Sequence, residues 1–101
     1  MEKVLVITSS IVFFKVIEKM LKGDYEVSLT QEYNQDKVNQ NDTIIIDSTL
    51  FGKEMLPSDK KFIVMFNYVK LDEAKYILQG GGFYIIKPFL KENLMRILLK
   101  R

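Results

Sequence analysis

Asp42-Thr43-Ile44-Ile45-Ile46-Asp47-Ser48 places three consecutive isoleucines between polar residues. Such a run is typical of a short strand buried on both faces, because a strand with one wet face would alternate apolar and polar residues. Asp47 marks the point where this strand meets water. A carboxylate at the carboxyl end of a central parallel strand lies where open α/β sheets bind ligands, although the same residue could simply turn the following loop.

Length and composition restrict the class of protein. The 101 residues predict one domain spanning 1–101, and 48% hydrophobic with 28% charged residues is ordinary for a soluble globular protein. The net charge of +2 is too small to indicate nucleic-acid binding. The chain has no cysteine and no histidine, so it lacks thiolate ligands, the usual general base and the commonest metal ligand. We therefore expect neither an enzyme nor a cofactor-dependent protein.

The chain shows no signal for export or membrane insertion. Its N-terminal apolar run is too short for a signal peptide, and no stretch approaches the roughly 20 apolar residues of a membrane span. We expect a cytoplasmic protein that does not bind membranes.

Apolar runs and helix signals alternate along the chain. Residues 31–41 are mostly polar, and Gly52 and Pro57 interrupt residues 48–60. The second and third helices should therefore be short. The strict alternation of residues 25–30 is typical of an edge strand. This order predicts a three-layer α/β/α, flavodoxin-like fold with a five-stranded parallel sheet in the order 2-1-3-4-5. The predicted strands cover 4–7, 25–30, 62–66 and 83–86, with the third strand inside 42–48, and the main helices cover 11–22, 70–79 and 90–98.

Polar residues follow four of the predicted strands. Thr8 and Ser9 follow the first strand, Asp47 the third, Asn67 the fourth and Lys87 the fifth. Because the carboxyl ends of parallel strands meet at one edge of the sheet, these residues should form one site.

Four stretches form a recognisable pattern along the chain: Lys3-Val4-Leu5-Val6-Ile7, Asp42-Thr43-Ile44-Ile45-Ile46-Asp47, Phe66-Asn67-Tyr68 and, most specifically, Gly80-Gly81-Gly82-Phe83-Tyr84-Ile85-Ile86-Lys87-Pro88-Phe89. With these stretches, the whole chain resembles the receiver domains of two-component response regulators. The resemblance implies a five-stranded receiver fold and a Lys-Pro bond that is cis.

The resemblance also implies roles for single residues. Asp47 would be the phosphate acceptor, and Lys87 would contact the phosphoryl group. Tyr84 would be the aromatic residue whose rotation reports the state of the site. Asn67 stands where receivers have a threonine or serine, and its amide could still donate a hydrogen bond.

Thr8 and Ser9 depart from the receiver pattern, because they stand where receivers have the acidic pair that holds Mg²⁺. Neutral hydroxyls are poor Mg²⁺ ligands, so we expect Mg²⁺ binding to be weak or absent. With Asp47 and Lys87 alone, the site has no net charge and predicts a direct ion pair. Phosphorylation would add negative charge with no metal to neutralise it, so we expect it to be very slow or absent.

The segment between the third and fourth strands is a second departure, since it is too short for a full helix. One face of the sheet would then be thinly covered, and an exposed apolar patch usually marks an interface. We expect a partner or homodimer surface formed by Leu50, Phe51, Met55 and Leu56.

Three hypotheses follow. The first is a degenerate pseudo-receiver that acts as an interaction module, with a histidine kinase, an output domain or another regulator as its protein partner. The second is a working receiver that is phosphorylated on Asp47. The third is a flavodoxin-like small-ligand or anion-binding protein that uses the hydroxyls of Thr8-Ser9-Ser10 before a helix N-terminus.

Overall fold

Strands and helices alternate throughout the computed structural model, which describes residues 1–68 and 70–100. Within this described part, no helix is long and apolar enough to cross a membrane. The elements are β1 (Glu2–Ile7), α1 (Ile11–Leu21), β2 (Tyr25–Thr30), α2 (Gln35–Asn39), β3 (Thr43–Asp47), a 3₁₀ turn (Lys53–Met55), β4 (Lys61–Phe66), α3 (Leu71–Gln79), β5 (Phe83–Ile86) and α4 (Lys91–Leu98).

The five strands form one sheet in the order β2-β1-β3-β4-β5. All four pairings are parallel, and β3 lies at the centre with every residue buried. This arrangement confirms the predicted strand order, including β2 as an edge strand. It also places the carboxyl ends of β1, β3, β4 and β5 along one edge of the sheet.

Helices cover both faces of the sheet, as the three-layer prediction requires. The first core cluster lies under α1 and α4, where Phe14, Ile17 and Leu94 pack on the sheet. The second core cluster lies under α2 and α3, where Val38 and Ile77 are buried. The predicted shortening is confirmed, because α2 has five residues and the 3₁₀ turn has three.

The predicted exposed patch is wrong. Leu56 is only 7% exposed, and the other three residues of the predicted patch are partly buried against the second core cluster. The loop folds back over the face that the short helices leave open. Gly82 makes room for it, since a Cβ at this position would come within 3.0 Å of both Leu56 and Ile77. The homodimer surface predicted from this segment therefore loses its structural basis.

Only a narrow face of α1 and of α4 is buried. Ile11, Val12 and Val16 of α1 are exposed, whereas Phe14, Ile17 and Leu21 are buried against the sheet. The last helix was predicted to begin at Leu90, but this residue is 62% exposed. The helix begins one residue later, at Lys91, so Leu90 occupies the N-cap.

Candidate functional site

Asp47 is the last residue of β3, at the carboxyl edge of the sheet, and only 8% of its surface is exposed. The backbone on either side of the site continues the sheet ladder beyond the strands. The Ser48 N–H donates to the Met65 carbonyl at 2.8 Å, and the Lys87 N–H donates to the Phe66 carbonyl at 2.8 Å. Both site-bearing loops are therefore anchored to β4, which limits where their side chains can lie.

Lys87 forms the ion pair that the charge count predicts. Its Nζ lies 2.9 Å from Asp47 Oδ1, and the two side chains are 17% and 11% exposed. The Lys87-Pro88 peptide bond is cis, as the resemblance implied. The pair is largely shielded from water, so its attraction is screened less than that of a surface pair.

Thr8 engages the other oxygen of the same carboxylate. It is fully buried, and its hydroxyl donates to Asp47 Oδ2 at 2.8 Å. The same hydroxyl oxygen accepts the Ser10 N–H at 3.1 Å, while the Ser10 hydroxyl accepts the Phe13 N–H and caps α1. Both oxygens of Asp47 thus have partners. We call Thr8, Asp47 and Lys87 the Asp47 site.

Phe13 contributes an aromatic wall that the sequence did not point to. Its ring centroid lies 4.7 Å from Lys87 Nζ, and its edge meets the ring of Phe89 with centroids 5.7 Å apart. An ammonium over an aromatic face is attracted by the ring quadrupole. The only signal in the sequence was an aromatic residue shortly after each of two site-bearing strands, Phe13 after the first and Phe89 after the fifth.

The remaining predicted residues lie near the same edge without joining the Asp47 site. Ser9 and Asn67 are exposed, and neither forms a side-chain hydrogen bond with a residue in 1–68 or 70–100. Tyr84 is half-buried and packs edge-on against Phe66, with ring centroids 6.2 Å apart. The Asp47 carboxylate forms no hydrogen bond with any of these three residues.

The Asp47 site does not suit a divalent cation. Across the described residues, no group of three or more acidic, histidine or cysteine side chains could hold a metal ion. The single carboxylate already accepts from an ammonium and a hydroxyl, and the ammonium supplies the positive charge that a metal would bring. Mg²⁺ is usually held through one or two carboxylates with near-octahedral geometry, which this donor set does not provide.

The hydroxyls of Thr8-Ser9-Ser10 are mostly committed to the protein itself. Thr8 serves Asp47, and the Ser10 hydroxyl serves the helix N-cap. Only Ser9 is exposed with its hydroxyl uncommitted within the described chain. This arrangement argues against a hydroxyl-lined anion loop of the flavodoxin type.

Several solved structures are similar to this chain in fold. No family model and no curated protein matches the sequence. A CheY-like response regulator receiver domain protein from Methanospirillum hungatei superimposes with a TM-score of 0.80 and 19% identity, over 97% of this chain and 90% of that one. The chain has the receiver fold.

Two further structures share the receiver fold. A response regulator from Thermotoga maritima matches with a TM-score of 0.77 and 23% identity, over 98% of both chains. A response regulator protein from Burkholderia pseudomallei, solved with a phosphorylated aspartic acid, a calcium ion and citrate, matches with a TM-score of 0.79 and 19% identity. The alignment covers 99% of this chain and 68% of that one.

Proposed function

We propose that this chain is a receiver-like module of two-component signalling that acts through protein contacts, with Asp47 held in an ion pair instead of serving as a phosphate acceptor. One observation carries the proposal. Both oxygens of Asp47 are engaged, one by Lys87 at 2.9 Å and the other by Thr8 at 2.8 Å. The resting site is therefore neutral and complete without a metal.

Electrostatics oppose phosphorylation of this site. A phosphoryl group would replace the single negative charge of Asp47 by a charge of about −2. Lys87 alone would face that charge, whereas phosphoryl transfer normally relies on metal ions to neutralise it. The incoming group would also have to displace the buried Thr8 hydroxyl or the ammonium from a carboxylate oxygen. Each displacement leaves a poorly solvated group without its partner, which is costly.

The proposed partners are proteins of the same signalling class: a histidine kinase, an output domain or another regulator. The receiver fold supports this proposal, as does an Asp47 site that contains no candidate for turnover on a substrate. We propose no cofactor and no enzymatic activity for this domain.

A working receiver phosphorylated on Asp47 is the second candidate. It is favoured by the presence of an aspartate and a lysine 2.9 Å apart at the ends of β3 and β5. The Burkholderia pseudomallei protein with the same fold was solved with a phosphorylated aspartic acid. This candidate requires Lys87 to leave its ion pair and bind the phosphoryl group.

Intact-mass measurement separates the two candidates. The protein would be incubated with acetyl phosphate and Mg²⁺ beside an Asp47→Ala variant, and circular dichroism would confirm that both are folded. The proposal predicts no mass gain in either protein. A gain of one phosphoryl group that disappears in Asp47→Ala would overturn it and establish the working receiver.

A further inference from the structure

The two edges of the sheet differ in how well they are protected. Strand β5 has four residues and leads directly into Lys87-Pro88. Strand β2 has six residues, and none of them is a lysine or a proline, the residues that most often block an exposed edge. Glu26 is its one charged residue. The β2 edge is therefore the longer and less protected one.

Backbone groups on the outer side of β2 are not paired by residues in 1–68 or 70–100. The Thr8 N–H donates to the Thr30 carbonyl, which directs Thr30 and every second residue before it toward β1. The N–H and C=O groups of Tyr25, Val27 and Leu29 then point outward. None of them forms a backbone hydrogen bond beyond the sheet with any residue that the structure describes. An extended chain could pair with this row.

A basic groove runs beside the same edge, between α1 and β2, with a cavity volume of about 580 Å³. Lys15 in its wall lies 3.6 Å from Glu18, whereas Lys19 and Lys22 form no ion pair within the described chain. Val27 packs half-buried on the first core cluster and so faces the α1 side. The groove is lined by Lys15, Glu18, Lys19, Lys22, Gly23, Tyr25 and Val27.

The positive charge of the groove distinguishes between two possible occupants of the β2 edge, a second copy of this chain and an acidic extended segment. A second copy pairing antiparallel through β2 would be related by a two-fold axis perpendicular to the sheet, so both α1 helices would lie on the same face. Their lysines would then approach one another, and like charges placed together oppose association. An acidic extended segment would instead bring carboxylates to Lys19 and Lys22.

We infer that the free edge of β2 and the groove beside α1 bind an extended acidic segment of a partner protein as a sixth strand. Its backbone pairs with the outward groups of β2, as in strand addition at other sheet edges. Every second side chain faces α1, where an acidic residue places its methylene groups over Val27 and its carboxylate near the lysines. The inference rests on the proposed function as an interaction module and names the surface and the chemistry of the partner.

Peptide binding monitored by ¹H–¹⁵N NMR tests this inference. The probe is a capped peptide as long as β2 in which glutamate alternates with valine, and the control is the same peptide with lysine in place of glutamate. We expect binding of the acidic peptide alone, with shifted and exchange-protected amides at Tyr25, Val27 and Leu29. The double variant Lys19→Glu/Lys22→Glu should weaken binding of the acidic peptide about tenfold, because two favourable charge contacts at an exposed site become repulsive.

Two further variants control for general effects. Lys75→Glu changes an exposed lysine on α3, away from the groove, and should leave the affinity unchanged. Val27→Pro removes one outward N–H without removing a hydrogen bond to β1. It should abolish the hydrogen-exchange protection that the acidic peptide gives to the β2 amides. Equal binding of both peptides, amide shifts outside β2 and α1, or equal loss in Lys75→Glu would each overturn the inference.

The two proposals fail separately. Self-association through β2 in the absence of peptide, detected by sedimentation, would overturn the acidic-partner assignment in favour of a second copy. The peptide assay does not involve Asp47, so its failure overturns the β2 inference alone. Phosphorylation of Asp47 would overturn the inert-acceptor proposal and leave the peptide result standing.

Discussion

The Thr8 hydroxyl lies between two groups that depend on it. It donates to Asp47 Oδ2 and accepts the Ser10 N–H. Thr8→Val removes this hydroxyl while keeping the shape of the side chain. We expect the free energy of unfolding to fall by about 1–3 kcal/mol, since two groups lose a partner at a poorly hydrated position.

Urea unfolding of Thr8→Val and wild type measures this loss, with the exposed Ser9→Ala as the matched control. The control should change the free energy of unfolding by less than about 0.5 kcal/mol. Equal stability of Thr8→Val and wild type would show that the buried hydroxyl contributes nothing to the site.

The Asp47–Lys87 pair should behave as a coupled unit. Lys87→Met leaves a shielded carboxylate without its cation. Breaking a fully buried ion pair lowers the free energy of unfolding by about 3–5 kcal/mol, and breaking an exposed pair lowers it by at most about 1 kcal/mol. Because the Asp47–Lys87 pair is partly exposed, we expect Lys87→Met to lower it by about 2 kcal/mol. Asp47→Asn/Lys87→Met should be less destabilised than the sum of its single variants, because no unpaired charge remains.

A double-mutant cycle from urea unfolding measures that coupling. The asparagine keeps an oxygen that can accept from Thr8, so the cycle isolates the charge interaction. Strictly additive single variants would mean that the 2.9 Å contact carries no coupling energy.

At the scale of elements, the β1–β2 pairing creates a pH dependence. Burial raises the pKa of the Tyr25 phenol above its ordinary value of 10.0, and the negative charges of Glu2 and Asp24 raise it further. Glu2 is the register partner of Tyr25 on β1. The folded chain therefore keeps the phenol proton to higher pH than the unfolded chain does. The stability that this provides is present below the ordinary pKa and is lost as pH rises through and above it.

Tyr25→Phe removes this titration. Between about pH 8.5 and pH 11, the free energy of unfolding of wild type should fall more steeply than that of the variant. Lysines titrate in both proteins, so the difference between the two curves isolates Tyr25. Parallel curves would contradict the prediction.

Sequence patterns predicted well those elements whose formation depends on residues that are neighbours in the sequence. Continuous apolar runs located β5 at its observed limits and β3 inside the predicted stretch 42–48, because a strand buried on both faces shows no polar alternation. The exposure of the segment around Leu56 was predicted wrongly, since its burial depends on Ile77 of α3 and on Gly82, which precedes β5 much later in the sequence. No local pattern reports such a contact.

At the scale of the whole molecule, the Asp47 site predicts indifference to Mg²⁺. A ligand that binds the folded state raises the unfolding temperature, so about 10 mM Mg²⁺ should leave that temperature unchanged relative to EDTA. The variant Thr8→Asp/Ser9→Asp supplies the acidic pair that the receiver pattern has at these positions. It should be stabilised by Mg²⁺, because three carboxylates facing one lysine need a cation.

Differential scanning calorimetry of wild type and the acidic variant provides this comparison, with Ca²⁺-free buffers and EDTA as the reference state. A Mg²⁺-dependent rise in the unfolding temperature of wild type would contradict the metal-free site. No rise in a folded acidic variant would show that more than the missing acidic pair prevents metal binding.

The sequence by itself determined the strand order, the edge position of β2 and the neutral pairing of Asp47 with Lys87. The strand order follows from periodicity, right-handed crossovers and the common order of five-stranded doubly wound sheets, and the pairing follows from counting charges at strand ends. Tertiary structure alone decided that Thr8 occupies the second oxygen of Asp47, that Phe13 lies against Lys87, and that the β2 edge and its groove stay open. Each of these depends on distances between groups far apart in sequence, and those distances are set by how helices pack on the sheet.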